Sequence, residues 1–394
     1  MKQRIKRLLK NCILVIYRAM TVVLPIRPNT VVFMSNLGRS YGGNPKSIYE
    51  EMVAMGLDQK YHCYYLLENP KVSLPGKIRP IRISRWKYYY VMATAKVWVS
   101  DTRFPNYIKK RRNVTYIQTW HGTPLKKLAL DMNTFQMAGG ETMKEYQDEF
   151  KRNSATWDYL IAQNQFSADI FRRAFAFDKT IVTTGYPRND ILFQKNKEQE
   201  INQIREKLGI ASGKKVILYA PTWRDNSFYD KASYRMNAPL DYDYLYESCK
   251  EDCVFLIKYH YMVRERQDFS KYKGFYQVMD SFIDISELYL VADVLITDYS
   301  SVMFDYSLLH RPMIFYVYDL KEYKEELRGF YFDFVKEAPG PLVTTTVELV
   351  EQIKRADFSE FKEAYQKFCK KYHEFEQGTA AKQIISMIKE ILSN

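Results

Sequence analysis

Residues 114–125 read VTYIQTWHGTPL, and this stretch combines a predicted strand with the turn that ends it. Val114–Thr119 is short and rich in β-branched and aromatic residues, a composition that predicts a strand. Gly122 follows in the expected turn, and Pro124 is suited to the first turn of a helix. A strand that leads through a turn into a helix is the repeating unit of parallel sheets. The stretch therefore predicts an α/β fold.

The same alternation of short strands and longer helical segments recurs on both sides of residues 114–125. Towards the N-terminus it predicts strands at Thr30–Ser35, Tyr61–Leu67 and Val97–Ser100, with helices at Pro45–Met55 and Trp86–Ala95. After a break it predicts strands at Lys215–Ala220, Cys253–Tyr259, Asp293–Thr297 and Met313–Val317, and helices at Tyr242–Lys250, Ile285–Val291, Ser301–Leu309, Phe358–Glu374 and Thr379–Leu392. We therefore expect two α/β units, each a parallel sheet flanked by helices.

The length of 394 residues exceeds that of a usual single core and also favours two domains. The charged stretch Gln194–Lys207 is the best boundary, because it is polar, ends in turn residues at 209–213 and precedes a new strand. The predicted divisions are a basic amphipathic helix at 1–28, Rossmann-like domains at 29–195 and 210–360, and closing helices at 361–394.

The formal charge of +13 and the pI near 9.2 favour anionic partners, namely nucleic acid, acidic lipid headgroups or phosphate polymers. The many Tyr and Phe residues are spread through apolar segments and form no nucleic-acid motif, so we expect no nucleic-acid partner. The five cysteines are scattered and odd in number, which predicts free thiols in a reducing compartment. Cys249 and Cys253 lack the second pair that a zinc site would need.

The N-terminus has the pattern of a helix that lies in the plane of a membrane. Basic residues precede the apolar run Cys12–Tyr17, and Arg18 interrupts the apolar stretch before it reaches spanning length. The basic residues are Lys2, Arg4, Lys6, Arg7 and Lys10. The broken apolar core and the missing small-residue cleavage site argue against a secretory signal. The alternative is an ordinary helix that caps the first domain.

Five unusual polar clusters each follow a predicted strand, and open α/β sheets bind ligands at the carboxyl ends of their strands. The clusters are QTWHGTPL at 118–125, GYPRND at 185–190, APTWRD at 220–225, KYH at 258–260 and TDYSS at 297–301. The sequence therefore predicts that the functional residues lie at these strand ends.

His121 is the leading candidate for a general base, because imidazole titrates near neutrality and can accept a proton from an attacking hydroxyl. Gly122 would let a phosphate approach the backbone, and the helix that Pro124 can open would present amides to anions. The alternative is a structural histidine at a strand end.

Three further features favour a phosphate ligand. Lys258 and His260 alternate and should share one face, as a diphosphate-binding pair requires, although a solvated strand end has the same pattern. Residues 297–301 form either an anion cradle or a plain helix cap that uses Asp298 or Ser300. Arginine suits bidentate phosphate contacts, and the candidates are Arg188 and Arg224, which alternatively pair with Asp190 and Asp225.

Taken together and in order, these clusters resemble those of the CDP-glycerol:poly(glycerophosphate) glycerophosphotransferases of teichoic-acid and capsule synthesis. The resemblance extends through Val302-Met-Phe-Asp305 and, later, Arg328-Gly-Phe and Pro339-Gly-Pro341, and it covers roughly residues 30–345. It implies a GT-B-like pair of Rossmann-like domains that face a central cleft. It also implies a peripheral enzyme at the cytoplasmic face of the bacterial membrane, with the acceptor on the N-terminal domain and the CDP donor on the C-terminal one.

Carried over by position, the resemblance makes His121 the base and places His260, also catalytic, against the donor phosphates. It assigns substrate binding to Gly122, Thr123, Pro124, Leu125, Arg188, Thr222, Trp223, Arg224, Lys258, Ser300, Ser301 and Asp305. Tyr261 stands where the family commonly has proline, so we expect the turn after His260 to differ from the family pattern. No metal or other cofactor is implied.

The implied reaction transfers glycerol phosphate from CDP-glycerol to the hydroxyl of an undecaprenyl-diphosphate-linked acceptor and releases CMP. CDP-ribitol enzymes share the same motifs, and both primases and polymerases have them. A sugar-nucleotide glycosyltransferase has a similar layout, and Asp241-Tyr-Asp243 has the spacing used by its metal-dependent members. A non-catalytic protein that binds anionic polymers would explain the charge but has no need of two strand-end histidines.

Overall fold

The computed structural model describes residues 2–132, 142–222, 228–230, 233–234, 239–260, 263, 267–322, 329–355 and 358–393. The first sheet has seven strands: β1 (Arg27–Met34), β2 (His62–Leu67), β3 (Arg79–Arg82), β4 (Ala95–Ser100), β5 (Thr115–Gln118), β6 (Tyr159–Ala162) and β7 (Thr180–Thr183). The remaining strands are β8 (Lys215–Tyr219), β9 (Phe228–Asp230), β10 (Ser233–Tyr234), β11 (Cys253–Ile257), β12 (Tyr276–Val278), β13 (Val294–Thr297), β14 (Met313–Tyr316) and β15 (Leu342–Val343). Of these, β9 and β10 form a hairpin and the other six form the second sheet.

Helices separate most of these strands. They are α1 (Lys2–Val23), α2 (Gly43–Ala54), α3 (Trp86–Thr94), α4 (Met143–Ser154), α5 (Gln165–Ala174), α6 (Asp190–Gln194), α7 (Glu198–Lys207), α8 (Tyr242–Cys249), α9 (Ile285–Val291), α10 (Val302–Tyr306), α11 (Leu320–Glu322), α12 (Phe334–Glu337), α13 (Thr346–Lys354), α14 (Lys362–Tyr372) and α15 (Ala380–Ser393). We call the parts of the chain built on the first and second sheets the N-terminal and C-terminal lobes.

Both sheets are parallel and have the strand order of the Rossmann fold. The first runs β3-β2-β1-β4-β5-β6-β7 and the second runs β12-β11-β8-β13-β14-β15. In each sheet the order reverses beside the first strand, between β1 and β4 and between β8 and β13. Ligands bind in the crevice outside such a reversal. The expectation of two Rossmann-like units with parallel sheets is confirmed.

The central strands are continuous apolar runs because helices cover both faces of each sheet. Every residue of β11 is buried, and so is every residue of β8 after Lys215. An alternating pattern would instead have left one face in water. The predicted strand boundaries in these segments differ from the observed ones by one or two residues.

The last helix of the chain returns to the N-terminal lobe. Ile384, Ile385 and Ile388 of α15 are fully buried in one apolar cluster with Val31 and Phe33 of β1. Their spacing places them on one face of the helix. The preceding helix, α14, packs on the C-terminal lobe through Phe368 and Tyr372, so the segment at 373–379 crosses between the lobes.

Helix α1 docks on the N-terminal lobe by one face only. Tyr17 is fully buried, and its hydroxyl donates to the Lys109 carbonyl at 2.9 Å. The helix exposes Val15, Ile16 and Val22, and Val22 retains 80% of its accessible surface. Within the part of the chain that the structure describes, no helix has the length and apolar character needed to cross a bilayer.

Candidate active site

A cleft of about 220 Å³ lies where the carboxyl edges of the two sheets face each other. The N-terminal lobe lines it with Asn36, Ser40, Asp101, His121 and Arg188, which follow β1, β4, β5 and β7. The C-terminal lobe lines it with Pro221, Lys258, His260, Ser300, Ser301 and Asp305, which follow β8, β11 and β13. The crevice beside each strand-order reversal therefore opens into one common cleft.

His121 is held by a backbone contact that sets its tautomer. Its Nδ1 lies 2.8 Å from the Asp101 carbonyl oxygen. A carbonyl oxygen only accepts, so Nδ1 carries the hydrogen and Nε2 has a free lone pair. Trp120 adopts a left-handed φ of 53° and stacks on the imidazole with ring centroids 4.6 Å apart. The turn thus presents an oriented imidazole whose Nε2 can accept a proton.

Both cleft histidines are neutral in the free protein. The His121 side chain opens onto the cleft, but protein surrounds it on its other sides, and this desolvation lowers its pKa to about 4. The positive charge of Arg188 lowers the pKa further, while the hydrogen bond to Asp101 opposes the shift. Desolvation lowers the pKa of His260 to about 3, and the electrostatic interaction with His121 is the second cause of this shift. At neutral pH the cleft therefore contains a base that is already unprotonated.

Arg188 connects the His121 turn to the other lobe. Its Nη1 donates to the His121 carbonyl oxygen at 2.9 Å, and its Nη2 forms an ion pair with the buried Asp305 carboxylate. Its backbone N–H donates to Asn44 Oδ1 at 3.1 Å. The alternative pairing of Arg188 with Asp190 is wrong, because Asp190 instead caps α15 by accepting from the N–H groups of Ala380 and Ala381.

The two lobes come into contact at Gly122. A Cβ atom placed on Gly122 would lie 2.5 Å from Ser301 Oγ and 3.0 Å from Ser301 Cβ. Only a residue without a side chain permits this approach. Nearby, Lys258 Nζ donates to the carbonyl oxygens of Asp280 and Ile283, at 2.6 Å each. The lysine is therefore fixed at the edge of the cleft.

Several residues that the sequence assigned to substrate binding lie behind the cleft wall. The Thr123 hydroxyl donates to Gln163 Oε1 and accepts from Asn164, so it faces a buried polar network. Pro124 is buried, and Leu125 belongs to the apolar core of the C-terminal lobe. Thr222 is also buried, with its N–H donating to Asp298 Oδ1 at 2.8 Å. Trp223, Arg224, Tyr261 and Arg328 lie outside the described residues.

Sequence reasoning missed polar residues that the fold brings to the cleft. Asp101 follows a predicted strand directly and could have been found by that position. Asp284 accepts from the Gly43 N–H at 3.0 Å and lies 3.6 Å from Lys46 Nζ, which adds a further contact between the lobes. It caps α9, and nothing in its local sequence indicates a partner in the first lobe.

The Asp241-Tyr-Asp243 segment has a structural role at the start of α8. Asp241 caps the helix by accepting from the Tyr244 N–H, and Asp243 forms an exposed ion pair with Lys271 at 2.8 Å. Neither residue lines the cleft. Among the described residues, no group of three or more His, Cys, Asp or Glu side chains is arranged to hold a metal ion.

Comparison with known proteins gives a consistent result. The family model of CDP-Glycerol:Poly(glycerophosphate) glycerophosphotransferase matches residues 16–390. A "Teichoic acid poly(glycerol phosphate) polymerase" of Bacillus spizizenii is 40% identical over 96% of this chain and 99% of its own length. A protein of the same name from Bacillus subtilis is 43% identical over 93% of this chain, which spans about half (49%) of that relative.

The structural comparison agrees with the sequence comparisons. A solved structure of the wall teichoic acid polymerase TagF, a histidine variant soaked with CDPG, superposes with a TM-score of 0.90. It is 38% identical and covers 99% of this chain and 96% of its own. The match of the family model over nearly the whole chain shows that this protein belongs to the CDP-Glycerol:Poly(glycerophosphate) glycerophosphotransferase family.

Proposed function

We propose that this protein transfers glycerol phosphate from CDP-glycerol to a terminal hydroxyl of a lipid-linked teichoic-acid acceptor and releases CMP. The observation that carries the proposal is the His121 imidazole in the cleft between two Rossmann-like lobes, held at Nδ1 by the Asp101 carbonyl so that Nε2 can accept a proton. The names of the relatives and the CDPG of the solved structure support the choice of donor.

In the proposed reaction His121 Nε2 takes the proton from the acceptor hydroxyl as that oxygen attacks the β-phosphorus of the donor. A bond forms between the acceptor oxygen and this phosphorus, and the bond from phosphorus to the bridging oxygen breaks. The bridging oxygen and its electron pair leave with CMP. An in-line displacement places the entering and leaving oxygens on opposite sides of phosphorus, and the two walls of the cleft suit that separation.

The donor is assigned to the C-terminal lobe, within residues 210–360, and the acceptor to the N-terminal lobe, within residues 29–195. His260, Ser300 and Ser301 line the C-terminal wall and offer N–H and O–H groups to the diphosphate. Lys258 adds fixed positive charge at the same edge. Trp223 and Arg224 keep their proposed place in the CDP site. Gly122 lets the backbone of the His121 turn approach the reacting phosphate.

We also propose that α1, within residues 1–28, binds in the plane of the cytoplasmic face of the membrane. Its exposed Val15, Ile16 and Val22 lie on the side of the helix that does not dock on the lobe. Apolar side chains that reach the acyl boundary, together with basic residues that contact anionic headgroups, anchor such helices. This location would bring the cleft close to an undecaprenyl-diphosphate-linked acceptor.

The deciding experiment measures CMP release from CDP-glycerol and from CDP-ribitol, each with and without a lipid-linked acceptor. The proposal expects acceptor-dependent CMP release from CDP-glycerol and elongation of the acceptor by glycerol phosphate. Turnover of CDP-ribitol alone would reassign the donor. Turnover of a UDP-sugar with neither CDP-polyol used would refute the proposed reaction class.

A further inference from the structure

The segment that crosses between the lobes contains a buried acid, Glu376. This residue lies between α14 and α15 and retains only 7% of its accessible surface. The start of the crossing is attached to the C-terminal lobe, where His373 Nε2 lies 2.9 Å from Ser307 Oγ. Its end is attached to the N-terminal lobe by the Asp190 cap of α15. Neither attachment requires a carboxyl group at position 376.

One carboxylate oxygen of Glu376 has three donors, and the other has none among the described residues. Oε1 accepts from Asn189 Nδ2 at 2.7 Å, Gln163 Nε2 at 2.8 Å and the Tyr186 N–H at 3.1 Å. Oε2 has no hydrogen-bond partner in the described structure and faces Gly185. A Cβ on Gly185 would lie 2.7 Å from this oxygen, and Gly185 has a left-handed φ of 76°.

The same two amides also bind Asp305. Asn189 Nδ2 donates to Asp305 Oδ1 at 3.0 Å, and Gln163 Nε2 lies 3.4 Å from the same atom. The other oxygen of Asp305 pairs with Arg188, which in turn binds the His121 carbonyl. A continuous set of contacts therefore runs from the crossing segment to the turn that carries His121.

Charge balance favours a neutral Glu376. Two ionised carboxylates that share donors would repel each other, and Arg188 can neutralise only one of them. Desolvation raises the pKa of Glu376 to about 8, and the nearby Asp305 adds to the shift. A proton on Oε2 would avoid a bare anionic oxygen in a buried site. Burial also raises the pKa of Asp305, but its direct contact with the Arg188 guanidinium opposes that shift and favours Asp305 as the ionised partner.

We propose that Glu376 is a positioning residue: its carboxyl group orients Asn189 and Gln163, which fix Asp305 and, through Arg188, the turn that presents His121. The inference rests on the proposed glycerol-phosphate transfer. Glu376 itself does not line the cleft, and it acts on the turn that carries His121 through the contact of Arg188 with the His121 carbonyl, so its effect should appear mainly in kcat.

The test compares Glu376→Ala and Glu376→Gln with the matched control Asp190→Ala. The control removes the cap that attaches α15 to the N-terminal lobe, but it leaves the contacts of Asn189 and Gln163 in place. Glu376→Ala should lower kcat by about 10- to 100-fold, the scale of a small misplacement of reacting groups, with little change in KM for CDP-glycerol. Glu376→Gln keeps an acceptor at the Oε1 position and should retain most activity. Asp190→Ala should keep its kcat. Melting temperatures of all variants report the purely structural cost.

A double-mutant cycle with Arg188→Ala separates positioning from a general loss of structure. If Glu376 acts through Arg188, the double variant should be no slower than Arg188→Ala alone. Multiplied losses, an unchanged kcat in Glu376→Ala, or an equal loss in Asp190→Ala would overturn the inference. If Glu376→Ala does not fold, Glu376→Asp replaces it. The shorter acid should then be slower than Glu376→Gln, and equal rates would overturn the inference.

Wild-type protein that releases no CMP from CDP-glycerol would instead refute the proposed function. The free energies of unfolding of the wild type, the two single variants and the double variant would still show whether Glu376 and Arg188 are energetically coupled. Additive losses of stability would show that Glu376 and Arg188 are uncoupled and would end the inference independently of activity.

Discussion

His121→Ala tests the proposed mechanism most directly. Loss of a general base typically lowers a rate by about 10²–10⁴, which corresponds to about 2.7 to 5.4 kcal/mol of transition-state free energy. The structural cost is smaller, because the side chain opens onto the cleft and, among the described residues, makes one hydrogen bond, to Asp101, and one stack, on Trp120. We expect a loss of stability of about 1 kcal/mol, the scale of one hydrogen bond. The variant should therefore fold and bind the donor.

The assay is single-turnover CMP release with saturating CDP-glycerol and acceptor, accompanied by calorimetry of donor binding. His62→Ala is the matched control, since His62 is an exposed imidazole at the amino end of β2, the end of its strand opposite to the cleft. A folded His121→Ala protein with a transfer rate near that of His62→Ala would refute the role of base. Loss of both folding and donor binding would instead favour a structural histidine.

The pH dependence of the wild type provides an independent check on the same residue. The active form of His121 is neutral, so activity should fall as pH falls through its pKa. Because that pKa is lowered to about 4 in the free protein, kcat/KM should stay constant down to a pH well below the ordinary pKa of histidine. Stability changes in the same direction: the unfolded chain binds protons on both histidines from about pH 6.5 downwards, before the folded one does. These two histidines therefore contribute a loss of stability as pH falls below about 6.5, whereas Glu376, whose pKa is raised, contributes in the opposite direction.

Three further variants test other parts of the proposal. Gly122→Ala should lower kcat and raise KM for the donor, because the new Cβ would lie 2.5 Å from Ser301 Oγ across the cleft; steady-state kinetics that match the wild type would contradict this reading of the contact. Ser301→Ala should weaken CDP-glycerol binding by roughly 1–3 kcal/mol, the scale of a hydrogen bond to a charged group, and unchanged calorimetric affinity would remove Ser301 from the site. Val15→Glu combined with Ile16→Glu should reduce flotation with anionic vesicles, while Tyr17 keeps α1 docked on the lobe. The control Val347→Glu, at an exposed position of α13, should float like the wild type. Equal flotation of the wild type, the double variant and the control would exclude membrane binding by α1.

The sequence predicted the central strands because helices bury both faces of the sheets and leave continuous apolar runs, as in β8 and β11. It gave no bounds for β3, β6 or β7, which have four residues each and too little pattern to define where a strand begins and ends. The strand-end clusters were found because parallel strands bring their carboxyl ends to one edge. The direction in which each side chain of a cluster points could not be predicted from the sequence.

The difference between Thr123 and His121 shows why. The two residues are two positions apart, yet one faces the cleft and the other a buried network, because the chain leaves β5 at Gln118 and bends at His121 and Gly122, so alternate residues no longer share a face. Glu376 was beyond reach for another reason. Its partners lie about 190 to 210 residues earlier in the chain, and only the return of α15 to the first lobe brings them together.

The charges of the cleft and of the proposed donor are complementary in a way that makes the base respond to substrate. In the free protein Asp305 neutralises Arg188, and desolvation keeps His121 and His260 uncharged, so protons do not occupy the base. A bound diphosphate adds negative charge beside both imidazoles and must raise their pKa values. In the proposed mechanism His121 therefore becomes a stronger base only when the donor is in place. The imidazolium formed by proton transfer is then stabilised by the phosphate charge until CMP leaves, and the departure of CMP lowers the pKa again and returns His121 to its neutral form.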